Sequence, residues 1–551
     1  MESKKIYFLF ALIIAVYFIA VGVDTIDVDS SQYAAISREM KESGSYLQVY
    51  EQGNDYLDKP PFLFWVSSIS MKFFGENNFG FKFPSILFAI FSIFATYRFT
   101  KLFYVEAIAK ISAIVLASCQ ALFLITNDVR TDTILMSWVI IAIWQLAEWI
   151  HKKKIINFIL ACVAIGAGMI TKGPIALIVP IFAFGSHFFL QRKFHYLFKP
   201  IYLLGIVVIT IVLIPMSIGL YQQFDLHPEK TVNGIKNVSG LRFFYWTQSF
   251  GRITGENVWN NNAPFSFLFQ NLLWGLLPWT LFFIVGLFND IVQIIRQKFY
   301  ISENNEFITT GGFILTYCSL GISKYQLPHY IYIVLPFITI ITAKVIYSLY
   351  WENKFSLLKN VLNLIQWVII LVLIAAPFII LIYSFPSNKI WPWIIPLTTI
   401  FAVLYLLLNK SLTKKIFYLS LTCILGLNIF LSSWFYPEIL KNQVGNIAGR
   451  FIKDNKIENN KFFLFKFLGN TKSIHFYAGK IVGKTESINN LSKNTFLLTN
   501  ADGLKVIKSS GRSFVIIKEG IDFHVSALTA GFLNKKTRDQ QGLRYFIINL
   551  E

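Results

Sequence analysis

Acidic side chains are scarce in this chain. Thirty Asp and Glu stand against 50 Lys and Arg in 551 residues, and the four types together make up only 15%. Hydrophobic residues reach 55%, and apolar runs recur until about residue 435, which excludes a single soluble core. Cysteines number four, each inside an apolar run and none in a CxxC spacing, so neither a disulfide framework nor a thiolate metal site is expected. The glycine spacing of a nucleotide-phosphate loop is missing, and no internal repeat is visible. Basic clusters are short and scattered between apolar runs, which argues against nucleic acid and for contact with anionic lipid.

What is present is a series of runs near the length of a bilayer's hydrocarbon layer. They fall at about 6–23, 79–100, 107–127, 132–150, 155–171, 174–190, 201–220, 266–288, 307–322, 329–350, 360–384, 391–408 and 416–435, predicting roughly thirteen transmembrane helices. The first is read as retained rather than as a cleaved signal. Lys and Arg alternate between the runs so as to place the N-terminus in the cytoplasm. Loops 24–78 and 221–265, the Ser323–His329 turn and everything after Tyr436 then lie on the outer face. The tail 436–551 is expected to be a small soluble α/β domain. A helix at about 438–455 would lead into it, and short β-like runs would follow at 462–465, 473–477, 495–498, 513–517 and 545–548. A structural or acceptor-docking cap is the expected role of that tail.

Against so few charges, the loop after the first run stands out, with Asp24, Asp27 and Asp29 inside six positions. Residues 31–44 read as an interfacial amphipathic helix capped by Ser30 or Ser31 and ended by Gly44, and 62–74 as a second helix too short to span. A partly desolvated carboxylate here suits a general base, while Asp29 also suits a solvated helix N-terminus. Lys59 precedes Pro60-Pro61 on a rigid extended segment and suits a phosphate, or is an ordinary interfacial lysine. In Thr126–Asp132, Asp128 and Asp132 share a face if the segment is helical, with Arg130 pointing elsewhere to meet an anion or close the loop. Lys172-Gly173-Pro174 is a weaker signal of the same kind. Arg242, Arg252 and Glu256 are interleaved with aromatic residues, fitting a phospholipid head and isoprenoid tail or an aromatic belt. Carboxylates and cations thus converge on the outer face, where nucleotide donors are out of reach and a lipid phosphate is the natural donor.

Asp29-x-x-x-Tyr33-Ala34 with Arg38-Glu39-Met40, then Asp58-Lys59-Pro60-Pro61, Arg130-x-Asp132, Lys172-Gly173-Pro174, Leu277-Pro278-Trp279 and Ser323-Lys324…Leu327-Pro328…Tyr330 resemble the bacterial aminoarabinose transferase and protein O-mannosyltransferase superfamily over most of 1–350. The resemblance implies a polytopic α-helical C-type glycosyltransferase fold. It also implies transfer of a monosaccharide from a polyprenyl (undecaprenyl) phosphate to a lipid, glycan or protein acceptor at the bacterial inner membrane. Carried over residue by residue, it implies catalytic roles for Asp29 and Asp132, with Asp27 as understudy to Asp29. Lys59, Arg252 and Lys324 would hold the donor phosphate, and Tyr33, Gln32, Arg130 and Tyr330 would contact substrate. Asp58 is a candidate ligand for a divalent metal. Gln32 stands where the lipid A-modifying branch has Arg, Asp58 replaces Glu, and no histidine lies between His227 and His329 to supply that branch's metal ligand. The rival expectation is a flippase for a lipid-linked glycan. It would place ionisable residues near helix midpoints rather than at their outer ends.

Overall fold

The computed structural model describes residues 3–551 except 233, 249, 255, 257–260, 304 and 410–413; of 3–6, 252 and 253 only the backbone is described. Among the described residues, eight helices are long and apolar enough to cross a membrane: Asn78–Phe103, Thr131–Lys152, Ile155–Lys172, Phe194–Asp225, Pro328–Tyr350, Ser356–Ser384, Trp391–Leu408 and Lys415–Leu440. The pair Glu106–Ser118 and Gln120–Asn127, bent by 49°, makes a ninth if it is one span. The chain is a multi-pass membrane protein.

The other four expected spans form shorter helices. Ser3–Ile19 has 17 residues, Ile175–Leu190 has 16 and Ile308–Gly321 has 14. The run at 266–288 is cut into Phe267–Gly275 and Thr280–Arg296, because Pro278 can neither donate a backbone hydrogen bond nor continue a helix. Two breaks satisfy each other here. The amide of Gln120, freed by the 49° bend, donates to the Leu277 carbonyl at 3.2 Å, and the buried Trp279 Nε1 donates to Ser118 Oγ at 2.9 Å. Within the bundle the Pro328–Tyr350 helix is central, 83% of its apolar window being buried, whereas Trp391–Leu408 is peripheral at 17% and turns its apolar surface outward.

The first interfacial helix runs Asp29–Ser43 and is closed by Gly44, whose φ of 71° requires glycine's freedom. It begins two residues before its expected start. Neither Ser30 nor Ser31 caps it, and Ser31 Oγ instead donates to Thr25 Oγ1 at 3.0 Å. The second, Phe62–Phe74, starts behind Pro60-Pro61 as expected. The two pack through Tyr33, Ile36 and Met40 against Leu63, Phe64 and Met71.

Beyond the last span lie the helix Val444–Asp454 and a five-stranded mixed sheet. Its strand order is Gly483–Thr485, Phe462–Phe465, Thr495–Asn500, Leu543–Leu550, Phe514–Asp522. The first three strands are parallel and the last two pairings antiparallel, with a register shift between Ile516 and Lys518. The run 473–477, expected to be β-like, is instead part of the helix Lys472–Tyr477, whose Phe476 is buried against the first interfacial helix. Tertiary packing overrides the β-propensity of that short aromatic run.

Candidate functional site

The loop that follows the first helix is fixed from below and from above. Lys82, fully buried in Asn78–Phe103, donates to the Val23 carbonyl at 2.7 Å, and Asn78 Nδ2 donates to Asp24 at 3.0 Å. Beyond this anchor opens a cavity of about 810 Å³. Four stretches of chain build its walls: Val23–Gln32, Glu51–Lys59, the helix break at Leu124–Arg130, and the turn Tyr325–Tyr332. The C-terminal residues His524, Val525 and Ser526 also reach it.

Its charges are arranged as interlocked pairs. Asp128 caps the end of one helix, and Arg130 is extended (φ −124°, ψ 155°) before the next. The segment 126–132 is therefore not continuously helical, and the expected shared face of Asp128 and Asp132 does not form. The guanidinium of Arg130 instead forks between two carboxylates. It reaches Asp128 from Nε at 2.9 Å and Nη2 at 2.8 Å, and Asp29 from Nη1. Burial pushes the Asp128 carboxyl above its ordinary range against the pull of Arg130. Burial likewise opposes the charge on Arg130, but Asp128 and Asp29 overcome it and hold the guanidinium above its usual value. On the other lining segment, Lys59 Nζ meets Asp58 at 2.9 Å, while Gln248 Nε2 donates to the Asp58 carbonyl at 2.6 Å and to its carboxylate at 3.2 Å. Gln32 Nε2 donates to Glu51 at 2.8 Å, and Glu51 also pairs with Lys472 of the C-terminal region.

A second charged cluster stands behind this wall. Asp132, at the start of Thr131–Lys152 and only 1% exposed, accepts from Lys172 Nζ at 2.5 Å and lies 3.7 Å from His329 Nε2. Lys172 in turn sits 4.0 Å from the centroid of the Tyr330 ring. His329 and Tyr330 line the cavity; Asp132 and Lys172 do not. Asp132 therefore touches the cavity only through His329 and, by way of Lys172, Tyr330.

Six of the residues to which the resemblance gives a role are brought together on the cavity, Asp29, Gln32, Asp58, Lys59, Arg130 and Tyr330, beside Asp24 and Asp128. Four are not. Asp27 is buried away from it, accepting from Ser473 N–H at 3.0 Å and Ser473 Oγ at 3.1 Å. Tyr33 is buried edge-on to Phe64, with centroids 5.8 Å apart. Asp132 lies behind the wall, and Lys324 is an exposed residue of the turn outside the lining. The Arg252 side chain lies outside the described residues. Among the described residues no three of His, Cys, Asp and Glu come together as a metal set, and Asp58 is engaged by Lys59 and Gln248. Sequence reasoning missed Glu51 and Asp55, two further acids in the same outer loop, as well as His524, and named His329 only as part of the polar outer turn. The acids were findable from their loop. His524 was not, because no local pattern signals a contact made across most of the chain.

A family model described as dolichyl-phosphate-mannose-protein mannosyltransferase matches residues 58–218. An undecaprenyl phosphate-α-4-amino-4-deoxy-L-arabinose arabinosyl transferase from Wigglesworthia glossinidia brevipalpis is 29% identical over 341 residues, 60% of this chain and 56% of its own. Its counterpart from Edwardsiella ictaluri is 25% identical over 61% of this chain and 58% of its own. The chain thus matches a little over half the length of these curated relatives. A crystal structure of ArnT from Cupriavidus metallidurans bound to undecaprenyl phosphate superposes with a TM-score of 0.73 at 15% identity, covering 100% of this chain and 98% of that one. The apo structure of the same protein gives 0.73 at 14% identity, covering 99% and 98%. The chain is thus similar in sequence to bacterial aminoarabinose transferases and, over 58–218, to protein mannosyltransferases, and it shares the fold of ArnT.

Proposed function

We propose that this chain is an integral membrane glycosyltransferase. It moves a monosaccharide from a polyprenyl phosphate to a lipid, glycan or protein acceptor on the outer face of the bacterial inner membrane. The observation that carries this reading is the meeting of Lys59, Arg130 and Asp29 on one cavity, two cations for a phosphate and a carboxylate for a hydroxyl. The likeness to ArnT, crystallised with undecaprenyl phosphate, supports the same donor class. In this reading the shorter apolar helices also cross the bilayer, giving thirteen passes with a cytoplasmic N-terminus. Residues 1–435 form the membrane domain and 436–551 an extracytoplasmic α/β domain.

The reaction is one displacement at the anomeric carbon. An acceptor oxygen forms its bond to that carbon while the carbon–oxygen bond to the lipid phosphate breaks. The acceptor's proton passes to the Asp29 carboxylate, and the phosphate leaves with the bonding pair. Lys59 and Arg130 hold the phosphate's charge by exchanging their carboxylate partners for its oxygens, with Lys324 and Arg252 on the flanking loops in support. Asp132 orients His329 and, through Lys172, Tyr330. A single displacement inverts the anomeric centre. Metal chemistry is not needed for these steps and none is routed through Asp58.

The test is sugar transfer from a polyprenyl-phosphate donor by purified protein in nanodiscs, together with glycan profiling of a deletion strain. One missing sugar in the envelope is expected. An unchanged glycan profile with a defect in lipid export would instead favour the flippase.

A further inference from the structure

The catalytic cavity has two neighbours of different chemistry. At Tyr56–Lys59 it abuts a narrow cleft of only about 20 Å³ whose other lining includes Leu47, Met216, Leu220, Phe243 and Phe244. At Val23 and Asp24 it abuts a second cavity of about 760 Å³, enclosed by the end of the first helical segment, the connection at 437–450 and two strands of the C-terminal sheet. Between the two cavities stands Asp24, which pairs with Arg450 and accepts from Asn446 Nδ2 at 3.3 Å. The reaction described above uses none of these residues.

The second cavity is polar and electrically balanced. Three cations, Lys441, Arg450 and Lys518, face three anions, Asp24, Glu519 and Asp539. Asn442, Asn446 and Tyr545 add amide and phenol groups that both donate and accept. A site for a polyanion concentrates positive charge, as phosphate recognition by Arg and Lys requires. A balanced mixture of donors and acceptors fits a ligand rich in hydroxyls and without clustered phosphates. The two cavities meet at Val23 and Asp24, and the catalytic cavity carries C-terminal residues on its own lining. His524, Val525 and Ser526 follow the strand Phe514–Asp522 and line the catalytic cavity, with the His524 and Ser526 side chains hydrogen-bonded to each other at 2.8 Å.

We propose that the second cavity is the acceptor's vestibule and that it takes a hydroxyl-rich glycan lacking clustered phosphates, which enters the catalytic cavity over Asp24 and past His524 and Ser526. This assignment rests on the glycosyltransferase reading and names the acceptor class of that site.

The test is direct binding by the full chain in nanodiscs. The probe is fluorescently labelled envelope oligosaccharide from a strain lacking this protein, used before and after removal of its phosphates. Wild-type protein is expected to bind both forms with similar Kd. Lys441→Trp and Lys518→Trp, which place an indole in the cavity from two different walls, should each weaken binding about tenfold or more. Undecaprenyl-phosphate binding by the variants serves as the control for folding. Absence of oligosaccharide binding by wild type, its loss on dephosphorylation, or wild-type binding by both folded variants would each overturn the vestibule. Wild-type protein that binds the oligosaccharide but not undecaprenyl phosphate would overturn the donor reading and leave the glycan site standing.

Discussion

The Asp27 carboxylate accepts hydrogen bonds from the backbone N–H of Ser473 at 3.0 Å and from its hydroxyl at 3.1 Å, joining the loop after the first helix to a residue 446 positions later. The Asp27 amide donates to Gln443 Oε1 at 2.9 Å, so the same loop is held to the C-terminal region twice. Asp27 thus seats the C-terminal layer, while its neighbour Asp29 faces the cavity.

That seat should respond to pH. Burial pushes the Asp27 carboxyl up from 3.8 to about 7, against the lowering effect of its serine hydrogen bonds, and burial pushes nearby Asp522 up to about 6. Both values lie above those of the unfolded chain, so the folded form binds more protons between them. Stability contributed by these groups is therefore full below about pH 4, falls as pH rises, and levels off above about 7. Hydrogen exchange at the Ser473 amide, corrected for intrinsic rate, is expected to speed up from pH 5 to about pH 8 in wild type. Asp27→Asn should flatten much of that change. Asp27→Ala should loosen the layer at every pH, by about 1–3 kcal/mol. An amide whose protection is independent of pH in wild type would refute the assignment.

Asp29→Asn keeps the side chain's shape and removes its capacity to take a proton. Transfer is expected to fall by about 10²–10⁴-fold with undecaprenyl-phosphate binding retained. Arg130→Lys keeps the charge but loses the fork that holds Asp29 and Asp128 together, and transfer should fall about tenfold or more. Single-turnover kinetics on purified variants separates the two effects from donor binding. Wild-type turnover in Asp29→Asn would remove the residue from the mechanism.

Lys59→Ala should weaken undecaprenyl-phosphate binding by about 1.5–3 kcal/mol, roughly 10- to 100-fold, the usual worth of a hydrogen bond to a charged group. Asp58→Asn removes a carboxylate that competes with the phosphate for Lys59, so binding should be equal or tighter. Titration of both variants checks the pair. Weaker binding in Asp58→Asn, accompanied by sensitivity to chelators, would instead mark Asp58 as a metal ligand.

Much of this site was legible in the chain because its signals are local. A charge in an apolar sequence is costly wherever it sits, so Asp29, Lys59 and Arg130 each announced themselves. Pro60-Pro61 and Gly44 likewise fixed the ends of the interfacial helices. The span count was less legible, since hydropathy alone does not register that Pro278 cuts the run at 266–288 in two. Least legible were long-range pairings. Asp27 and Asp29 look alike in sequence, and only Ser473 on one and Arg130 on the other give them different surroundings. The Lys172–Asp132 contact likewise joins two motifs that each read weakly alone.

That contact supports the sharpest energetic prediction. Asp132 and Lys172 expose only 2% and 15% of their side chains and meet at 2.5 Å. Removing one partner leaves the other's charge in a poorly solvated place, so Asp132→Asn should destabilise the protein by about 3–5 kcal/mol. Lys172→Met should do the same, because it takes away the ammonium that pairs with the buried Asp132 carboxylate. The double variant Asp132→Asn/Lys172→Met removes both charges together and should regain most of the lost stability, since a buried ion pair is worth little against its neutral replacement. It should not regain transfer, because His329 and the Tyr330 ring lose the groups that orient them on the cavity. Thermal unfolding followed by size-exclusion chromatography gives the stability cycle, and transfer by the same preparations gives the activity cycle. A double variant that recovers both quantities together would show that Asp132 and Lys172 serve only the fold, whereas recovery of stability alone assigns them to the site.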